Sequence, residues 1–161
     1  PAYKKAATVK ALLAAHPYEE PVYDIYPLQN SWPQAGAGVI GELEVPETEL
    51  EFLKRIKKTF EVGCLRHNKL LGREIQTVAL CGGAGGVLNA LAIRNRADVF
   101  ITGEIKYHDY FGHDTDILLA EIGHYESEQY TKEIFYTIIR DLFPHFEVQM
   151  TKVNTNPIKY M

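Results

Sequence analysis

The sequence predicts an α/β protein, a βαβ-type sheet unit preceded by an incomplete ferredoxin-like α+β module. Three observations carry this. Short apolar runs at residues 76–81, 98–102 and 118–122 have the length of buried strands. A stretch with helical spacing, residues 87–94, separates the first two, which makes a βαβ unit with a parallel sheet and a right-handed crossover. Upstream, the signals run helix, strand, strand, helix, strand, which is a βαββαβ unit lacking its first strand.

The elements follow in order. Residues 3–15 are rich in Ala, Lys and Leu and read as a helix. It is closed by His16-Pro17, because proline disfavours helical geometry in the residue before it. Residues 22–28 read as a strand, 32–38 as a Pro- and Gly-rich loop, and 39–45 as a second strand. Thr48 with Glu51 makes a capping box for a helix that places Leu53, Ile56 and Phe60 on one face. A third strand is expected at 62–66. The polar stretch 68–73 is the expected boundary between a module at 1–72 and an α/β half at 73–161. In the second half a glycine turn, residues 82–86, follows the first strand. A long helix at 127–142 carries Tyr130, Ile134, Ile138 and Leu142 at i+4 spacing and stops before Pro144, and residues 146–151 form a terminal strand. The open position of the absent first strand leaves a sheet edge, which favours self-association.

With 46% hydrophobic and 24% charged residues the chain has an ordinary globular composition. Its 17 basic residues are outnumbered by 21 acidic ones, and the basic cluster at 54–58 lies on a helix, where a solvated face explains it. Nothing in this balance argues for nucleic acid. No apolar run approaches the ~20 residues of a membrane span, and the N-terminus lacks the layout of a signal peptide. Cys64 and Cys81 are isolated, so reduced thiols and a cytoplasmic location are expected. The chain opens on Pro1 with no initiator Met, which suggests a fragment.

Two strand ends run into ionisable residues. The strand 98–102 leads into Gly103-Glu104-Ile105-Lys106-Tyr107-His108-Asp109, and the strand 118–122 into Gly123-His124-Tyr125-Glu126-Ser127-Glu128. In open α/β sheets ligands collect at carboxyl strand ends, so neighbouring ends of this kind point to one shared site. His124 and Glu128 stand four apart, which in helical register sets them on one face within reach of one divalent ion. The alternative is a histidine near a helix start with a first-turn glutamate favoured by the helix dipole. Glu104, Lys106 and His108 are the types used for proton transfer or for holding a charged substrate, or they belong to a solvated loop. Gly82, Gly83 and Gly85 either present N–H groups to a phosphate or make a tight turn. Ser127 stands where a helix N-cap is expected.

Residues 102–109, the motif Gly123-His124-Tyr125-Glu126-Ser127-Glu128 and Asn154-Thr155-Asn156-Pro157 resemble the C-terminal half of the NGG-one-interacting-factor-three-like family, whose members are called GTP cyclohydrolase type 2 homologues. Residues 16–28 resemble the PII-like or CutA-like insert of its longer members. The resemblance implies two divalent metal ions (Zn, Mn, Fe or Mg) held between two halves of a full-length protein, with His124 and Glu128 contributed by this half. The family's remaining ligands lie in a His-His-Pro motif and an Asp; this chain has no His-His pair, and Ser127 replaces the usual Thr. The implied activity is that of a metal-dependent hydrolase, by purine-nucleotide ring opening or phosphoester cleavage, on a nucleotide or phosphate ligand. The competing implication is a regulatory or assembly module that acts by protein interaction as a homo-oligomer.

Overall fold

The computed structural model describes residues 2–29 and 35–161, so residues 32–34 of the expected loop lie outside the described residues. Contacts divide the chain into two units, Pro1–Ala35 and Gly36–Met161.

In the first unit a 3-10 turn, Ala2–Lys4, runs into helix α1, Lys5–Ala15. The helix ends where expected: His16 turns extended ahead of Pro17, and its N–H donates to Leu12 O. Residues 22–28 form no strand, contrary to expectation. Their apolar side chains do not compensate, since Val22 and Leu28 are exposed. A strand exists by pairing, and none of the described strand pairs includes this segment.

The second unit holds strands β1 (Val39–Thr48), β2 (Arg66–His67), β3 (Glu74–Cys81), β4 (Val99–Thr102) and β5 (Leu118–Glu121), with helices α2 (Glu49–Thr59), α3 (Asn89–Arg94), α4 (His124–Glu128) and α5 (Thr131–Leu142). They form one five-stranded mixed sheet in the order β1-β3-β4-β5-β2. The three middle strands are parallel, and β1 and β2 pair antiparallel at the edges. Every residue of β4 and β5 is buried, which is why both read as unbroken apolar runs. Alternation splits their side chains between two cores. Val99, Ile101, Leu118 and Ala120 pack with Phe52, Leu53 and Ile56 of α2, while Phe100 and Leu119 pack on the other face with Ala92 of α3. Each of the Val, Leu, Ile and Phe side chains contributes ~1.5–3 kcal/mol by leaving water.

Thr48 caps α2 as expected, with Glu51 reaching back to its hydroxyl. Thr48 Oγ1 accepts from the Glu51 N–H and donates to the Glu51 carboxylate at 2.8 Å.

The expected boundary at 72/73 is corrected by two sets of hydrogen bonds. β1 pairs with β3, from Val39 opposite Leu80 to Thr48 opposite Glu74, so the sheet draws on both sides of that position. The polar stretch between them is held rather than linking. The buried Glu49 carboxylate accepts from the N–H groups of Leu71 (2.8 Å) and Gly72 (2.9 Å). The Asn68 side chain donates to Ile117 O and accepts from the Leu119 N–H. A segment held by side-chain bonds to the backbone on either side of it can be as polar as a linker.

Three further elements differ. The strand expected at 62–66 is reduced to Arg66–His67. The long helix is broken at residues 129–130 into α4 and α5, and 146–151 form no strand. The apolar row of α5 faces solvent: Ile134, Ile138 and Leu142 are exposed, and the helix buries no residue.

Candidate metal-binding site at the strand ends

The register of the parallel strands builds the site. Cys81 pairs with Thr102 and Thr102 with Glu121, so the carboxyl ends of β3, β4 and β5 lie level. The segments that follow them, the glycine turn, Gly103-Glu104 and Gly123 with α4, therefore meet at one edge of the sheet.

Two close approaches set the spacing of these segments. Gly103 leaves no room for a side chain: a Cβ there would lie 2.7 Å from Gly83 O, 2.7 Å from Ser127 Oγ and 2.9 Å from His124 Cα. Gly123 turns the chain from β5 into α4 at φ +94, a conformation L side chains rarely adopt.

The buried Thr102 hydroxyl donates to Gly83 O (3.1 Å) and accepts from the Gly85 N–H (2.9 Å). Ser127 Oγ accepts from the Gly83 N–H (2.9 Å) and donates to His124 O (2.8 Å). One expectation is corrected: Ser127 is an internal residue of α4 rather than its N-cap, which is Gly123. In the turn that includes Gly82, Gly83 and Gly85, the N–H groups of Gly83 and Gly85 are engaged by the Ser127 and Thr102 hydroxyls.

His124 and Glu128 project from the same side of α4, as their spacing requires, with His124 Nε2 3.1 Å from Glu128 Oε2. The other ring nitrogen, Nδ1, lies 2.8 Å from Glu104 Oε1, at the end of the neighbouring strand. A carboxylate only accepts, so with a glutamate oxygen against each ring nitrogen the arrangement favours the imidazolium, in which both N–H groups donate, and an ion on Nε2 would take the place of its proton. The hydrogen bond to Glu104 is the largest cause that raises the His124 pKa above its usual value; desolvation opposes it and the Glu128 charge adds to it. All three side chains remain open to solvent, at 43%, 57% and 52% exposure for His124, Glu104 and Glu128.

The donor set fits part of a divalent-ion site. Two ligands bound at ~2.0–2.2 Å to one ion stand roughly 3–3.5 Å apart, which matches the Nε2 to Oε2 separation. An acceptor on Nδ1 is the usual companion of a metal-ligating histidine. Among the described residues, however, no group of three or more His, Cys, Asp or Glu is arranged to hold an ion.

Lys106 and His108 are exposed on the loop beyond Glu104, and neither hydrogen-bonds or ion-pairs with the trio among the described residues. His108 instead stands against Tyr107 and Phe111. Sequence reasoning missed the neighbouring polar knot on Glu121. This buried carboxylate accepts from the Ile105 N–H (3.2 Å), from Tyr110 Oη (2.8 Å) and from Arg66. Burial, then the Glu121 hydrogen bond, raises the Tyr110 pKa. The available signal was an acidic residue closing an otherwise apolar strand.

Residues 5–157 match the model of the Duf34/NIF3 (NGG1p interacting factor 3) family. Relatives called "GTP cyclohydrolase 1 type 2 homolog" are 36% identical in Halalkalibacterium halodurans, over 98% of this chain and 44% of the relative, and 35% identical in Staphylococcus epidermidis, over 95% and 43%. The chain thus spans less than half the length of these relatives. The crystal structure of Staphylococcus aureus protein SA1388 superposes with a TM-score of 0.80 at 31% identity, covering 99% of this chain and 47% of that one. A Bacillus cereus protein related to NIF3 superposes with a TM-score of 0.72 at 28% identity, covering 100% and 46%. By sequence and by fold, the chain is a member of the Duf34/NIF3 family.

Proposed function

We propose that this chain supplies His124 and Glu128 as two ligands of a divalent dimetal site in a metal-dependent hydrolase, with the remaining ligands provided by protein outside it. The observation that carries this reading is the 3.1 Å approach of His124 Nε2 to Glu128 Oε2, with Nδ1 already engaged by Glu104. A divalent ion held there, such as Zn, Mn, Fe or Mg, would supply acidification of a water for hydrolysis.

The chain's own residues then divide the work. Glu104 accepts from Nδ1 and so holds the His124 ring with Nε2 toward Glu128, the nitrogen that would ligate once it has lost its proton. Lys106 and His108, exposed on the adjoining loop, serve a phosphate and a proton respectively. A groove of ≈ 650 Å³ lined by Arg66, Lys69, Tyr107, Tyr110 and Phe111 offers cations for a phosphate and rings for a base, which suits a nucleotide ligand. The glycine turn has no part in this reading, because its N–H groups at Gly83 and Gly85 are occupied. A cytoplasmic location accords with the free thiols of Cys64 and Cys81, and among the described residues no helix is long and apolar enough to cross a membrane.

Titration of Zn or Mn into this chain tests the reading. Weak binding that is lost in His124→Ala and in Glu128→Ala is expected, since two ligands alone hold an ion loosely. Uptake that survives both substitutions sinks it.

A second reading is favoured by the exposed apolar row of α5. On that reading the chain is an assembly module whose helix face is covered in a homo-oligomer, and sedimentation equilibrium that finds a monomer at high concentration rejects it.

A further inference from the structure

We propose that Asn156, in the segment that follows α5, is a positioning residue for the His124–Glu128 pair, acting through the buried carboxylate of Glu126. The inference rests on the metal-site reading for its ligand but not for its geometry.

Helix α4 has five residues. Isolated helices below about 12–15 residues are marginal in water, so the direction in which His124 and Glu128 point is set by what holds α4 from outside. On the site side the anchors are the Ser127 hydroxyl on the Gly83 N–H and the contact of Gly103 with the His124 backbone. At 100° per residue, Glu126 lies on the opposite side of the helix from both ligands.

Glu126 is 8% exposed. One carboxylate oxygen, Oε1, accepts from Asn156 Nδ2 at 3.1 Å, while the other lies against Gly123 at the entry to the helix. A buried carboxylate is held in place by its donor and is costly without one. Asn156 is itself fixed at both ends. Its N–H donates to Asn154 Oδ1 (2.8 Å), its own Oδ1 accepts from the Ile158 N–H (3.0 Å), and Lys159 Nζ donates to its carbonyl (3.1 Å). These are two overlapping Asx turns, which aim the Asn156 amide at Glu126 without any regular element around it. Farther on, the Tyr160 ring lies over Gly63 and its hydroxyl over Gly123, so the tail covers the outer face of the β5–α4 junction. This gives a physical task to the Asn-x-Asn-Pro motif, which the site itself does not use. An aspartate at 156 could make both turns yet would set a carboxylate against Glu126, so the amide is the specific requirement.

The test uses this chain in four forms: unchanged, Asn156→Asp, Asn156→Ser, and the double variant Asn156→Asp with Glu126→Gln. Three quantities are read: Co(II) affinity with its visible absorption spectrum, the His124 imidazole resonances in metal-free protein, and the thermal midpoint. Asn156→Asp is expected to weaken Co(II) by about tenfold or more, as loss of a residue supporting a ligand does, to alter the Co(II) spectrum and to move the His124 resonances. Asn156→Ser, which keeps a turn-forming oxygen but falls short of Glu126, moves them the same way and serves if the aspartate variant does not fold. The double variant, in which donor and acceptor are exchanged, restores all three towards the unchanged chain. A fall in thermal midpoint with unchanged Co(II) affinity, spectrum and His124 resonances overturns the proposal, as does failure of the double variant to restore them. If the unchanged chain binds no Co(II), the metal reading fails by itself, and the His124 resonances still decide whether Asn156 positions the helix.

Discussion

His124 Nδ1 lies 2.8 Å from Glu104 Oε1, so a residue after β4 orients a side chain that starts the helix after β5. The candidate ligand is thereby fixed across two strand ends, and its other ring nitrogen, Nε2, faces Glu128.

Replacing Glu104 with Gln keeps the shape of that contact and removes its charge. We expect Zn or Mn affinity to fall by roughly 10–100-fold, the range for partners of metal-bound histidines, with little change in thermal midpoint because Glu104 is exposed. Competition with a chromophoric chelator measures it. An unchanged affinity means Glu104 does not support the site.

The His124 pKa is raised, first by the Glu104 hydrogen bond and also by the Glu128 charge. In metal-free protein an NMR titration should place its midpoint above 6.5, and Glu104→Gln should lower it. A group whose folded pKa lies above its unfolded one adds stability that is fully present below the unfolded pKa and disappears as pH rises through the folded value. Metal-free stability should therefore decline slightly from near pH 6.5 to above the measured midpoint. Metal affinity should change in the opposite sense and strengthen over that window as the proton leaves Nε2. A midpoint at or below 6.5 contradicts the contact.

Gly103→Ala should be among the most damaging small substitutions. Its methyl meets backbone at Gly83 O (2.7 Å) and His124 Cα (2.9 Å), neither of which is a flexible side-chain end. Overpacking of this kind costs ~1–3 kcal/mol, read from the urea midpoint, and the spread of β4 from α4 should also abolish metal uptake. Wild-type stability together with wild-type uptake would mean that the segments are not in contact there.

Glu49→Ala leaves the N–H groups of Leu71 and Gly72 without their acceptor. A loss of ~1.5–3 kcal/mol is expected, the range for hydrogen bonds to a charged group. Limited proteolysis complements it: cleavage should fall within residues 16–29, where no regular structure protects the backbone, before residues 68–73 are cut. Early cutting at 68–73 in the unchanged chain would restore a boundary there.

Much of this protein is determined by local sequence. The unbroken apolar runs of β4 and β5 declare buried parallel strands, Thr48 and Glu51 declare the start of α2, and His124 and Glu128 at i+4 declare a shared helical face. Each of these depends on chain geometry within about one turn or one strand. What tertiary structure decided depends on partners far along the chain. Residues 22–28 and 39–45 have similar strand signals, yet the latter lies in β1, paired with β3, while the former pairs with no strand among the described residues. The polar stretch 68–73 resembles a linker until Glu49 and Asn68 are seen to tie it to the backbone around it. The division at Ala35/Gly36, the occupation of the glycine turn by Thr102 and Ser127, and the pairing of Glu104 with His124 all follow from which segments the sheet brings side by side. Hydrogen bonds over such separations leave no periodicity in the sequence, because each is fixed by strand order and register rather than by spacing along the chain.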